Sequence, residues 1–344
     1  MGFQPGVDLV NWAQPYCTAY GVPHLAKALP TVFHSLALWL SLQYLSARLS
    51  PKLFPNTFAN MKKSTRVSWH VHWVAFCHAA IITPLAGRLW WKVYQEGGMT
   101  GTHILASNRV YGYDDEAAKI YGIALGYFIW DAVVSALYDG PAFVAHGLVA
   151  MTAFVFVFHP IFMYDGLGFL LWEASTPFLN IHWFLDKLGM TGGKVQLINA
   201  FFLLSTYVLA RLTFGVYNSF SWMMLVHFPA KPHSPAIPLH IKTFFTIGNV
   251  TLNSLNFIWF RAMIRAVQKR FTAKDDKGRP IDAKKLAKGK QQIGKVGVSG
   301  TGDEQFEKEA GIGNHDYTSH GSYSDREDRE EREARWRKAS KKAN

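Results

Sequence analysis

Between Leu29 and Ile264 the chain is a succession of apolar stretches separated by short polar joints. These stretches show little of the alternation that keeps one helix face in water, which favours lipid as their solvent. They cover roughly 30–47, 67–87, 117–137, 141–163, 166–184, 196–217 and 239–264. At about 1.5 Å per residue each approaches or exceeds a hydrocarbon core of about 30 Å. The pattern predicts an all-α, polytopic membrane helix bundle of about seven spanning helices. From Gln268 to Asn344 it changes to Lys, Arg, Asp, Glu, Gly and Ser, which predicts a disordered, charged C-terminal tail. Three parts follow: 1–60, a lumenal N-terminus with the first spanning helix and a basic joint; 61–270, the main membrane domain; and 271–344, the tail.

Composition changes this picture only at its edges. The chain is 49% hydrophobic and 15% aromatic, yet its mean hydropathy is only +0.02 because the tail lowers the average. The net charge of +12 comes with no nucleic-acid-binding motif, so no nucleic-acid partner is expected. Cys17 and Cys77 are too far apart in sequence, and Cys77 too apolar in context, for a disulfide framework or a zinc site. The first residues lack the basic region and short apolar core of a cleavable signal, so the internal helices are expected to direct insertion.

Charge also orients the bundle. Arg48, Lys52, Lys62, Lys63 and Arg66 lie between the first two stretches, and Arg265, Lys269 and Arg270 follow the last. In a seven-helix arrangement these joints share one side, which the positive-inside rule makes cytosolic, leaving the N-terminus lumenal. Asp139-Gly140-Pro141 reads as a tight turn joining the third and fourth stretches as an antiparallel hairpin. The joint from Arg88 to Lys119 reads as a solvated loop. In the tail, acid–base pairs four residues apart between Asp325 and Arg337 suit a solvated helix with almost no apolar face. The final Lys341-Lys342-Ala343-Asn344 resembles a dilysine retrieval signal, which would make coat proteins a partner of the tail.

Ionisable and amide side chains at membrane depth are costly and mark the places where chemistry or recognition is expected. The second stretch carries His70, His72 and His78; the hairpin carries Asp131 and His146; the fifth carries Glu173, Thr176, Asn180 and His182; the last two carry Arg211, Asn249, Asn253 and Asn256. Counting from the turn, Asp131 lies about 13 Å deep and His146 about 9 Å, so the pair can share one level. A carboxylate there could fix the tautomer of a basic or nucleophilic imidazole, and the bland alternative is a polar pair between packed helices. Glu173 and Arg211 have similar depths, which suits a charge-neutralising pair. Asn249, Asn253 and Asn256 recur at i, i+4 and i+7, placing three amides on one inward face. The fourteen histidines form no HxxHH box, so no di-iron centre and no metal site is expected.

Tyr127-Phe128-Ile129-Trp130-Asp131, the turn Asp139-Gly140-Pro141 and Phe143-Val144-Ala145-His146 resemble the central hairpin of TLC-domain proteins. The run Trp172-Glu173-Ala174-Ser175-Thr176-Pro177-Phe178-Leu179-Asn180-Ile181-His182-Trp183-Phe184 is similar to the E-x-S-T-P-F-x-N-x-x-W segment of the TLC-domain-containing subgroup. Arg211 and Asn256-Phe257-Ile258-Trp259-Phe260 also fit, so the resemblance covers about residues 60–270. It implies a multi-pass protein of the endoplasmic-reticulum membrane that binds, senses or handles lipids and contributes to lipid homeostasis, with membrane lipids or acyl chains as partners. Glu173, Thr176, Asn180, His182, Arg211, Asn249, Asn253 and Asn256 are then the candidate cavity residues. Ceramide synthases, the best-known members, transfer an acyl group from coenzyme A using paired histidines. His146 matches the first histidine, but Gly147 stands in place of the second. The alternatives are thus an acyltransferase using His146 and Asp131, with acyl-CoA as co-substrate and no resident cofactor, and a trafficking adaptor acting through its tail.

Overall fold

The structure is a computed structural model that describes residues 5–99 and 101–272. The tail, with its helix expected over Asp325–Arg337 and its Lys341–Lys342 signal, lies outside the described residues.

Among the described residues the fold is all-helical. The chain forms α1 (Pro5–Ala19), α2 (Leu25–Leu53), α3 (Pro55–Ala59), α4 (Lys63–Met99), α5 (Ile104–Ser107), α6 (Asp115–Tyr138) and α7 (Pro141–Phe156). It continues with α8 (Met163–Leu170), a 3-10 turn (Leu171–Ser175), α9 (Thr176–Lys187), α10 (Lys194–Tyr207), a π segment (Val208–Phe214), α11 (Gly215–His227) and α12 (Leu239–Thr272). Among the described residues three helical runs are long and apolar enough to cross a membrane: Leu25–Leu53, Asp115–Tyr138 and Lys194–His227.

Local chemistry sets the ends that matter for the site. Asp114 caps α6, its side chain accepting from the Ala117 N–H at 2.8 Å, and Asp115 and Glu116 suit the positive end of the helix dipole. Pro141 stands at the first position of α7, where its missing N–H costs nothing, so Asp139–Pro141 folds the chain back on itself. The chain enters α8 through Phe162 in the left-handed conformation, φ 57°.

Within this unit α4, α6, α7 and α12 pack in sequence, α12 meets the α10–π–α11 rod, and that rod meets the 3-10 turn and α9, which return to α4. The ring encloses the site. α2 lies outside it against α6 and α4, and α1 against α2. The α2–α6 contact is close because Gly126 has no Cβ: one built there would lie 2.7 Å from the Val32 carbonyl oxygen. Ser35 uses that proximity to donate to the Ile123 carbonyl at 2.7 Å, the small-residue contact by which helices associate in lipid.

Several expectations are corrected. Residues 88–119 are not a plain solvated loop: α4 continues to Met99, α5 follows, and α6 starts at Asp115. This segment is also tied down, since Arg109 pairs with the fully buried Asp165 and donates to Ser221 at 3.0 Å. The 141–163 stretch stops being helical after Phe156, and the 166–184 stretch is two helices joined by the 3-10 turn. The N-terminal part contains α1, whose alternating Pro, Gly and polar residues hide its helical character.

Candidate functional site

The ring encloses two adjoining chambers. The first, of about 1160 Å³, lies at the end of the bundle that holds the Asp139–Pro141 turn. It is bordered by His72 of α4, Asp131 and Asp139 of the hairpin, Thr176 and Asn180 of α9, and Tyr207. The second, of about 850 Å³, runs towards the opposite end between apolar walls that include Ala153, Phe154, Leu170, Trp222, Phe245 and Leu252. Phe128, His146, Glu173 and Arg211 border both, so the chambers meet there.

Arg211 is the best-anchored group at the junction. Its Nε donates to Ser175 Oγ at 3.1 Å, Nη1 to Asn256 Oδ1 at 3.1 Å and Nη2 to Thr176 Oγ1 at 3.2 Å. Nη2 also lies 3.7 Å from Glu173 Oε1, and the guanidinium sits over the Tyr207 ring at 5.3 Å. Both charged side chains are buried. The π segment provides this geometry, since its wider turn carries Arg211 and such bulges recur at functional sites. Tyr207 holds α12 alongside by donating to the Asn256 carbonyl at 2.9 Å.

His146 projects into the junction without a hydrogen-bond partner among the described residues and lies edge-on to Trp259, ring centroids 5.6 Å apart. Asp131 borders the same polar chamber, but no hydrogen bond joins it to His146. Its carboxylate is beside the next residue instead: a Cβ on Gly147 would stand 3.3 Å from Asp131 Oδ2 and 3.1 Å from Ala132 Cα. Equal depth brought the two side chains to one level, while their rotation about the two helix axes kept them apart. Gly147 is therefore a close contact of α7 with α6, where even the Cβ of a second histidine would press on the α6 backbone. At the hairpin turn, burial pushes the Asp139 carboxyl up to about 6.

The remaining sequence-predicted residues divide. Thr176 and Asn180 border the polar chamber and Asn249 the apolar one. Asn253 does not border either: it donates to Ser219 Oγ at 2.9 Å and links α12 to α11. Asn256 serves Arg211. His182 borders neither chamber, because it faces away from Asn180 on α9. Sequence reasoning left His72 among the unassigned polar groups, although it borders the polar chamber and bonds Asn180 at 2.6 Å. The signal was available in depth counting, since His72 lies nine residues after the start of α4 and Asn180 seven before the end of α9, similar depths if the two helices run in opposite directions.

The sequence pattern of the TLC domain matches residues 68–265, the span that builds the ring and both chambers. The chain belongs to the TLC-domain family. This is a family tied to lipid metabolism or sensing. An uncharacterized TLC domain-containing protein of Schizosaccharomyces pombe is 30% identical over 267 residues, 77% of this chain and 87% of that protein. A second uncharacterized TLC domain-containing protein, from Saccharomyces cerevisiae, is 28% identical over 166 residues, 47% of this chain and 52% of its own length. The TLC domain-containing protein 4-B of Danio rerio is 29% identical over 168 residues, 47% of this chain and 62% of its own. The polar and apolar chambers thus belong to the TLC domain itself, and α1, α2 and α3 precede it.

Proposed function

We propose that this TLC-domain protein holds a single lipid inside its helix ring, with one hydrocarbon chain in the apolar chamber and the polar end in the chamber beside His72 and Asp131. The observation that carries this reading is the junction: one chamber is lined almost wholly by aromatic and aliphatic groups, the other mixes polar and ionisable groups with apolar ones, and they meet at His146, Glu173 and Arg211. A lipid has the same division. A chain leaving the bilayer gains little hydrophobic free energy, because lipid tails are as apolar as the chamber wall. Selectivity therefore rests on the fit of the chamber and on the polar end. Lipid extracted from the purified protein and identified by mass spectrometry tests the reading. Ala153→Phe adds a ring to the apolar chamber and is expected to remove most of the bound lipid while leaving the folded yield near that of the parent; undiminished lipid would overturn the assignment.

A second reading, acyl transfer from coenzyme A, is favoured by one observation, the unpartnered His146 imidazole at the junction. His146→Asn keeps a polar group of similar reach. If His146 carries chemistry, this variant stays folded and lipid-loaded but loses a cellular lipid phenotype; full complementation of a deletion removes the acyltransferase reading.

We further propose that α2, α4, α6, α7, the α8–α9 run, the α10–α11 rod and α12 all cross the membrane, with the N-terminus lumenal. Arg48, Lys52, Lys62, Lys63 and Arg66, at the facing ends of α2 and α4 and in the joint between them, support the orientation. α7, with 16 residues, is about 24 Å long and crosses only with help from its flanking turns. A glycosylation acceptor placed before Leu25 or near residue 102 is expected to be modified, and one after residue 272 is not; modification after 272 would reverse the orientation. Residence in the endoplasmic reticulum and a part in lipid homeostasis rest on the sequence resemblance, and microscopy of the tagged protein checks the former.

A further inference from the structure

His72 is held by a chain of hydrogen bonds whose directions follow from chemistry. The Thr176 backbone carbonyl can only accept, so the Asn180 group 2.8 Å from it is the NH₂ end of the amide. That turns Asn180 Oδ1 towards His72, where it lies 2.6 Å from Nδ1. A carboxamide oxygen also only accepts, so Nδ1 must carry the proton. Trp183 stacks on the ring with centroids 4.2 Å apart and planes 22° apart, which fixes its orientation. Among the described residues no carboxylate forms an ion pair with His72, and burying an uncompensated charge is costly, so the ring carries this one proton only. Nε2 is left with its lone pair, at a residue that borders the polar chamber, and no described residue donates to it.

We infer that His72, oriented by Asn180, is the hydrogen-bond acceptor that reads the polar end of the bound lipid, and that this end offers an O–H or N–H donor rather than an anionic group. The inference rests on the lipid-binding reading given above. The other groups in the chamber agree with it. Asp131 and Asp139 are carboxyls without a cation beside them, while Arg211 is already engaged by Glu173, Ser175, Thr176 and Asn256. A phosphate or carboxylate would meet two carboxyls and, among the described lining residues, no free cation to offset them. A hydroxyl or amine meets a lone pair held in place before it arrives, so little ordering is needed on binding.

The test uses the full chain in detergent micelles and three photoreactive sixteen-carbon probes with the same chain, ending in a hydroxyl, a primary amine or a methyl ether. Labelling of chamber peptides is quantified by mass spectrometry. The hydroxyl or the amine is expected to label roughly five- to tenfold more than the ether, the value of one added hydrogen bond, and the stronger of the two identifies the donor. His72→Phe is expected to abolish this preference while all three probes still label the apolar chamber. Equal labelling of the parent protein by donor and ether probes, or a preference that survives His72→Phe, overturns the inference. If no probe labels the chambers, the lipid-binding reading fails, and the His72 geometry is decided separately by ¹⁵N spectra of the histidine-labelled parent protein. The Nδ1–H tautomer is expected there, and the Nε2–H tautomer sinks the assignment without any variant having to fold.

Discussion

Arg211→Leu is expected to lower stability in detergent by about 3–5 kcal/mol, the range found when one partner of a buried ion pair is removed. The substitution leaves the Glu173 carboxylate in an apolar wall without its counter-charge, and it strands Ser175 Oγ, Thr176 Oγ1 and Asn256 Oδ1, all of which accept from the guanidinium. Glu173→Gln is milder, because Arg211 keeps its three hydrogen bonds and loses only the compensating charge at 3.7 Å. The decisive measurement is the double variant. Once Arg211 is leucine, Glu173→Gln removes a stranded charge and should restore part of the loss, giving a coupling of about 1–3 kcal/mol in a double-mutant cycle. Thermal unfolding followed by intrinsic fluorescence reads all three proteins. Strictly additive losses would mean that the two side chains act independently despite their proximity.

Gly147→His is expected to destabilise by about 3 kcal/mol, the upper end of the cost of overpacking a tight contact. It would write the paired histidines of ceramide synthases into this chain. The Cβ alone would stand 3.1 Å from Ala132 Cα and 3.4 Å from Ala132 N, atoms of the α6 backbone that cannot turn aside as a flexible side chain would. Gly147→Ala provides the calibration. It gains about 1 kcal/mol in helix propensity and loses about 1–3 kcal/mol to the contact, so it should lie between no effect and a modest loss. The histidine gains less propensity and adds a ring beyond the same crowded Cβ, so α6 and α7 are expected to shift apart. Normal thermal stability for Gly147→His would show that the hairpin is looser than its geometry indicates.

The apolar pattern made the helices legible, because lipid demands continuous hydrophobic runs and internally bonded backbone. It could not show where these helices bend. The 3-10 turn at Leu171–Ser175 and the π segment at Val208–Phe214 lie inside stretches with no proline or glycine to mark a break, and tertiary packing decides their geometry. Depth counting worked where rotation did not matter. Glu173 and Arg211 have long side chains and meet across the ring, while Asp131 and His146 need a particular angle about each axis and do not bond. The three asparagines of α12 share one face, as their spacing requires, yet that face meets three different neighbours: the apolar chamber at Asn249, Ser219 at Asn253 and Arg211 at Asn256. His72 was visible only as a polar group at depth. Its partner on α9 is 108 residues away, and nothing in the local sequence announces the bond.

The π segment also determines how this part of the chain can change over time. A π turn holds more residues than an α turn, so residues after Gly215 are rotated relative to the positions that an unbroken α-helix from Lys194 would give them. Asn218 and Trp222, both buried in the bundle, depend on that offset. Closing the segment to α-helix with all its residues kept would swing everything beyond it by about 100°, one residue's rotation, whereas losing one residue between Val208 and Phe214 would let the rod close into a single α-helix with Asn218 and Trp222 left facing the bundle. Length variation here is thus unlike length variation in a surface loop. The bulge absorbs a one-residue loss, and the residue such a loss displaces is Arg211, which sits where the register shifts.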